Sequence, residues 1–366
     1  MAEKTPLHDA AAQAGAVFAD DAGWLVPAHF GDVGAEYDRA RSGAVLFDQS
    51  HRGKVELTGA DAVSFLHNLC TNDVRTLAPG AGCEAFLTNV KAKVVAHALV
   101  YRPGDGGAAA LWLDLAPNMA PKVIRHLDHF LISEHVEFAD RTAEFAQVHL
   151  AGPQAHAVLE TAAGEAVPAL EPLRHMTRTL GVAACQVRRH DPLGVPGYDI
   201  LCPAGGAEGL WRLLAGAGAS PAGLEAYQAL RIEAGTPLYG VDIDDDTFAP
   251  EVGRTRQAIC YTKGCYLGQE PVVMARDRGH VNRTLLAVLL PGGPVPPGSR
   301  LYRDGKEVGR VTSSAASPRL GTAVGLAYVR RGSQEPGTAV EVEVEGQRRP
   351  AEVVTLPFGP AGTATG

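Results

Sequence analysis

No stretch of this 366-residue chain approaches the ~18 uninterrupted apolar residues that a membrane-crossing helix needs, so no membrane span is expected. The opening Met1-Ala2-Glu3-Lys4-Thr5-Pro6 lacks a basic segment running into an apolar one, and no secretory leader is read there. Basic charge is in deficit: 33 Lys and Arg against 41 Asp and Glu give a formal net charge of −8. A nucleic-acid footprint is therefore missing at whole-chain level, and direct contact with nucleic acid is not expected. The densest basic clusters, Arg188-Arg189-His190 and Arg348-Arg349, read as solvated faces. The six cysteines contain no CxxC pair, which argues against a zinc ribbon, and no metal site is expected. Without an export signal, reduced thiols in the cytoplasm are the default. No GxGxxG or Walker loop follows a strand pattern, so a dinucleotide cradle is not supported.

What is present is an ordinary globular composition, 46% hydrophobic and 20% charged, in a chain long enough for two or three domains. One pattern occurs twice. Val55-x-Leu57-x-Gly59-x-x-Ala62-x-x-x-Leu66 returns as Val148-x-Leu150-x-Gly152-x-x-Ala155-x-x-x-Leu159. Alternation before the glycine predicts a strand, the glycine a tight turn, and the Ala and Leu four apart one face of a helix. Two related α+β subdomains follow. Between the copies, 93–101 and 109–115 read as strands and 121–130 as a helix. This mixture lacks a strict βαβ rhythm, which favours α+β over a doubly wound sheet. Beyond residue 280 short β-type runs (284–290, 307–313, 322–329, 340–344 and 348–355) alternate with Gly and Pro clusters, predicting an antiparallel β-barrel or sandwich. The domains are thus placed at 1–279 and 280–358, with 359–366 a flexible tail.

Several motifs in order carry a family resemblance. Ala22-Gly23-Trp24-Leu25-Val26-Pro27, Leu46-Phe47-Asp48-Gln49-Ser50-His51, Asn72-Asp73-Val74, Leu230-Arg231-Ile232-Glu233-Ala234-Gly235 and Val308-Gly309-Arg310-Val311-Thr312-Ser313 resemble stretches of the aminomethyltransferase (glycine cleavage T-protein) superfamily. Within it, Lys263-Gly264-Cys265-Tyr266-Leu267-Gly268-Gln269-Glu270 resembles the signature of YgfZ-type folate-binding proteins. The resemblance implies two α+β subdomains and a C-terminal antiparallel β-barrel around a folate-type cavity. It implies tetrahydrofolate as cofactor, and an accessory role in assembling or repairing iron–sulfur enzymes, tRNA-modifying ones included. Partners would be those enzymes or their assembly factors, and a monomer is expected. A tetrahydrofolate-dependent aminomethyltransferase or other one-carbon transferase is the first alternative. A folate-binding or sensing protein is the second.

Two departures from the family pattern bear on chemistry. The family's acids in LN-x(6)-DD fall here on Ala96 and His97, and its pterin-gripping glutamate falls on Val195. A carboxylate can orient an amine nucleophile, or pair with an amino-pyrimidine edge; alanine and valine cannot. Little glycine-cleavage activity is therefore expected; His97 reads as a tolerated polar residue on a strand, with a substitute acid or base as the alternative. By resemblance Arg231 lies in the folate cavity, with Tyr198, Tyr239 and His97 as further cofactor contacts. Cys265 is the catalytic candidate, since a thiolate is a nucleophile, a soft-metal ligand and a redox group. Lys263 would lower its pKa, and Gln269 and Glu270 would supply an amide and a carboxylate. The cavity is expected to bring Arg231 and the Cys265 loop together.

Overall fold

The computed structural model describes residues 2–104 and 111–358. The expected strand at 109–115 is seen as Leu111–Leu115; residues 109 and 110, and the expected tail 359–366, lie outside the described residues.

Strand period two builds the molecule. In Leu111–Leu115, Leu111, Leu113 and Leu115 enter one apolar core while Trp112 and Asp114 take the opposite face. In Val94–Arg102, Ala96, Ala98 and Val100 join the same core and His97, Leu99 and Tyr101 point the other way. These strands belong to a five-stranded antiparallel sheet ordered Ala81–Thr88, Val94–Arg102, Leu111–Leu115, Gly53–Thr58, Glu137–Asp140. Its core face is covered by helices Ala62–Leu69 and Ala120–Asp128, the latter matching the helix expected at 121–130.

The second sheet has six strands ordered His175–Leu180, Ala183–Arg189, Gly197–Pro203, Phe145–Ala151, Val45–Asp48, Ser220–Pro221. It repeats the alternation. Ala146, Val148, Leu150, Tyr198, Ile200 and Cys202 fill its core under helices Ala155–Ala163 and Ala207–Gly216. The repeated pattern is thus a strand–turn–helix unit in each sheet. Gly59 and Gly152 turn it with φ of +109° and +124°, and a Cβ at either would lie 2.1 or 2.3 Å from a carbonyl oxygen.

The two sheets meet through their polar faces. Gln147 Nε2 donates to Asp114 Oδ2 across the gap (3.0 Å), and the Arg188 guanidinium lies 4.4 Å from the Tyr101 ring centre. Arg188 is 1% exposed, which corrects the reading of Arg188-Arg189-His190 as a solvated face: period two sends Arg188 inward between the sheets.

The C-terminal part closes as a six-stranded antiparallel barrel: Arg283–Leu290, Thr322–Arg330, Lys306–Ser317, Arg300–Arg303, Ala339–Val344, Gln347–Val354. The Arg300–Arg303 strand was not expected; at four residues between a Pro/Gly cluster and a tight turn, it is too short to show alternation.

Candidate functional site

A cavity lies where the polar faces of the two sheets meet the segment following helix Leu224–Ala234. Its inner chamber, about 60 Å³, is lined by Glu84, His97, Asp114, His190, Tyr227 and Arg254, among others. An adjoining outer chamber of about 330 Å³ is lined by Asp21, Gln49, His51, Met119 and Gln228. Arg52, Tyr227, Leu238 and Tyr239 border both.

On the first sheet, His97 Nε2 lies 2.8 Å from Glu84 Oε1, and Arg254 grips both carboxylate oxygens of Glu84. Burial alone would raise the Glu84 pKa. His97 and Arg254 outweigh it and hold the carboxyl at about 2, so Glu84 is ionised. An ionised carboxylate only accepts, so the proton of this contact sits on His97 Nε2. Ala96, the other position of the missing acid pair, faces the core.

The second sheet supplies a matching arrangement. Asp199 is 3% exposed; its Oδ1 accepts from His149 Nδ1 (2.8 Å) and its Oδ2 from His190 Nδ1 (2.7 Å). Burial pushes the Asp199 pKa up, but the two imidazoles prevail and hold it well below the carboxylate range. Cationic groups gather at and behind the lining around Asp114. Arg52 Nε donates to Asp114 Oδ1 (2.6 Å), Arg188 Nη1 stands 3.7 Å from the same carboxylate, and the Lys54 ammonium is buried on the carbonyls of Ser50 and Arg52. Burial lowers the Lys54 pKa to about 8.

The expected residues separate into two groups. His97 and Tyr239 line the cavity, the Tyr239 hydroxyl donating to Asp245 and receiving a hydrogen bond from Lys122. Burial and Asp245 push that phenol well above its ordinary range. Tyr198 turns to the opposite face of its strand, where its hydroxyl meets His156 Nδ1 (2.9 Å), and it is absent from the lining of either chamber. Arg231 is 1% exposed and spent on Asp242 (2.6 Å) and Gln228 (2.7 Å); it too is absent from that lining, although Gln228 is not. Val195 packs against the apolar cluster of Phe47, Tyr227 and Leu230.

The Cys265 loop lies outside the cavity, so the expected meeting of Arg231 and Cys265 there does not occur. Cys265 is exposed. The Lys263 ammonium is turned inward onto the carbonyls of His67, Cys70 (2.7 Å) and Asn72 (2.9 Å), and burial lowers its pKa. Gln269 and Glu270 open helix Gln269–Arg278, with Gln269 Nε2 3.5 Å from the Gly264 carbonyl.

Glu84, Arg254, His190, Asp199 and Arg52 were not picked out from the sequence. The available signal was a charge at a period-two position in an otherwise apolar strand, as Glu84 is in Ala81–Thr88.

Residues 7–257 match the GCVT N-terminal domain, and residues 283–359 match the glycine cleavage T-protein C-terminal barrel domain. The chain belongs to the glycine cleavage T-protein family. It is 33% identical to an aminomethyltransferase of Rubrobacter xylanophilus over 99% of this chain and 97% of that one. It is 30% identical to the aminomethyltransferase of Bacillus subtilis, over 98% and 99%. The crystal structure of glycine cleavage system aminomethyltransferase T from Bartonella henselae superposes with a TM-score of 0.89 at 26% identity, covering 98% of each chain. Against that T-protein background, Glu84, His97 and His190 line the inner chamber, while Val195, at the expected glutamate position, packs in an apolar cluster and is absent from the lining of either chamber.

Proposed function

We propose that the chain is a tetrahydrofolate-dependent one-carbon transferase of the aminomethyl-transfer type, working with an imidazole where its relatives are expected to use an aspartate. The observation that carries this reading is His97. It stands on the cavity wall at the expected acid position and is held there by the ionised Glu84. The outer chamber suits a flat polar heterocycle, with Tyr227, Tyr239 and Met119 as apolar walls and Gln49, Gln228 and Asp21 as hydrogen-bonding groups. Calorimetric titration of the full chain with tetrahydrofolate, and transfer to it from an aminomethyl-lipoyl carrier protein, test the proposal. Saturable one-to-one binding is expected, with transfer that falls ~100-fold in His97→Ala. A wild-type protein that neither binds tetrahydrofolate nor transfers ends the reading.

A second reading is favoured by one separate feature. Cys265 is exposed on a loop anchored by a buried ammonium, in a motif like that of YgfZ-type proteins. This supports an accessory role toward iron–sulfur enzymes, exercised at the surface. In a strain lacking the protein, Cys265→Ser is expected to leave iron–sulfur enzyme activity unrescued; full rescue by that variant removes this reading.

A further inference from the structure

We propose that His190 is the proton acceptor of the inner chamber, with Asp199 and His149 as its positioning residues and an N–H group of the bound nitrogen heterocycle as the donor. The proposal rests on the reading of the cavity as a reduced-folate site, and its geometry is independent of His97. His190 lines the chamber at the end of the second sheet, opposite the sheet that carries His97. Asp199 is ionised and can only accept, so both of its contacts require N–H on the imidazole side. The proton of neutral His190 is thereby fixed on Nδ1, and Nε2 keeps the lone pair. His149 holds the other carboxylate oxygen, so Asp199 cannot turn away from His190.

The backbone reinforces the array. The Gly197 N–H donates to Asp191 Oδ1 (2.7 Å), and a Cβ at Gly197 would come within 2.6 Å of the His190 carbonyl oxygen and 2.9 Å of the His149 ring. Only a bare backbone lets these two imidazoles share the carboxylate. The charged and titratable groups on the chamber wall around His190 are Arg52 and Asp114, the Glu84–His97–Arg254 bridge, Tyr227 and Tyr239.

The step is a single proton transfer. The ligand N–H bond breaks and an Nε2–H bond forms. The proton leaves as the nitrogen attacks the one-carbon unit with its own lone pair; the bond from that carbon to its leaving group breaks with its electrons going to that group, and the N–H electron pair becomes the nitrogen's new lone pair. The resulting imidazolium faces Asp199, so its charge is compensated where it forms.

Nitrogen-15 NMR of the imidazoles, assigned through His190→Gln, tests the array without any ligand. The expected result is His190 as the Nδ1–H tautomer in the wild type, with that preference lost in Asp199→Asn and weakened in His149→Gln. In the transfer assay His190→Gln is expected to retain tetrahydrofolate binding within threefold while transfer falls ~100-fold and the acid limb of its pH profile disappears. Three results overturn the proposal: an Nε2–H tautomer in the wild type, transfer unaffected by His190→Gln, or stoichiometric uptake of a divalent ion that Asp199→Asn abolishes. If wild-type protein shows neither folate binding nor transfer, the cavity reading fails while the tautomer still decides whether the array exists.

Discussion

At the residue scale, Glu84 shows how one side chain serves both stability and site. It is buried, ionised, and satisfied by a guanidinium and an imidazole. Removing its charge leaves Arg254 without its partner; Glu84→Gln is expected to cost about 3 kcal/mol, read from chemical denaturation at pH 7. The pH dependence has a definite sign. Because the folded carboxyl is held at about 2 against an ordinary 4.5, its contribution is present above pH ~4.5 and lost as pH falls toward 2. Glu84→Gln should therefore flatten the acid limb of stability between those values. His97, by contrast, was legible in the sequence as the residue standing where an acid is expected. Its partner was not, because period two says that Glu84 and His97 leave the core but not that they meet across neighbouring strands.

At the element scale, the loop from Lys263 to Gly268 is seated by hydrogen bonds of Lys263 and Leu267 and by one close approach. Gly268 has φ of +81°, and a Cβ there would sit 2.5 Å from the Asn89 carbonyl oxygen at the tip of the hairpin whose second strand carries His97. Thr88 Oγ1 donates to the Leu267 carbonyl beside it (2.7 Å). Gly268→Ala is expected to destabilise the loop by ~1–3 kcal/mol, read as faster amide exchange over residues 263–270 with tetrahydrofolate binding retained. The motif was conspicuous in the sequence. What could not be read from it was direction: Lys263 faces inward and Cys265 outward. Four strands of the two sheets, Gly53–Thr58, Val94–Arg102, Leu111–Leu115 and Phe145–Ala151, were readable because alternation marks them. The cavity was implied by the family resemblance alone and not by alternation, since the face opposite a core looks the same whether it meets solvent or a second polar sheet.

At the scale of the whole molecule, helix Leu224–Ala234 joins the double-sheet part to the barrel. Glu233 accepts from Tyr37 (2.8 Å) on one side and from Ser317 (2.6 Å) and Arg319 (3.1 Å) on the other. Asp242 binds Arg231 from this helix and Thr312 (2.5 Å) and Ser313 (2.7 Å) from the barrel. Asp242→Asn is expected to cost about 3 kcal/mol and to give two thermal transitions in calorimetry, where one is expected for the wild type. The family resemblance made Arg231 a candidate ligand residue. Its burial against an acid eleven positions later gives it a different task.

Those carboxylates have a consequence for the continuity of the chain. Glu233 and Asp242 are almost wholly enclosed, and several of their partners come from beyond the turn at Gly279. A protease that nicks the backbone at that turn would cut the polypeptide without freeing either piece. The barrel would stay clamped by its hydroxyls on acids it does not own, and would leave only when denaturant brings water to them.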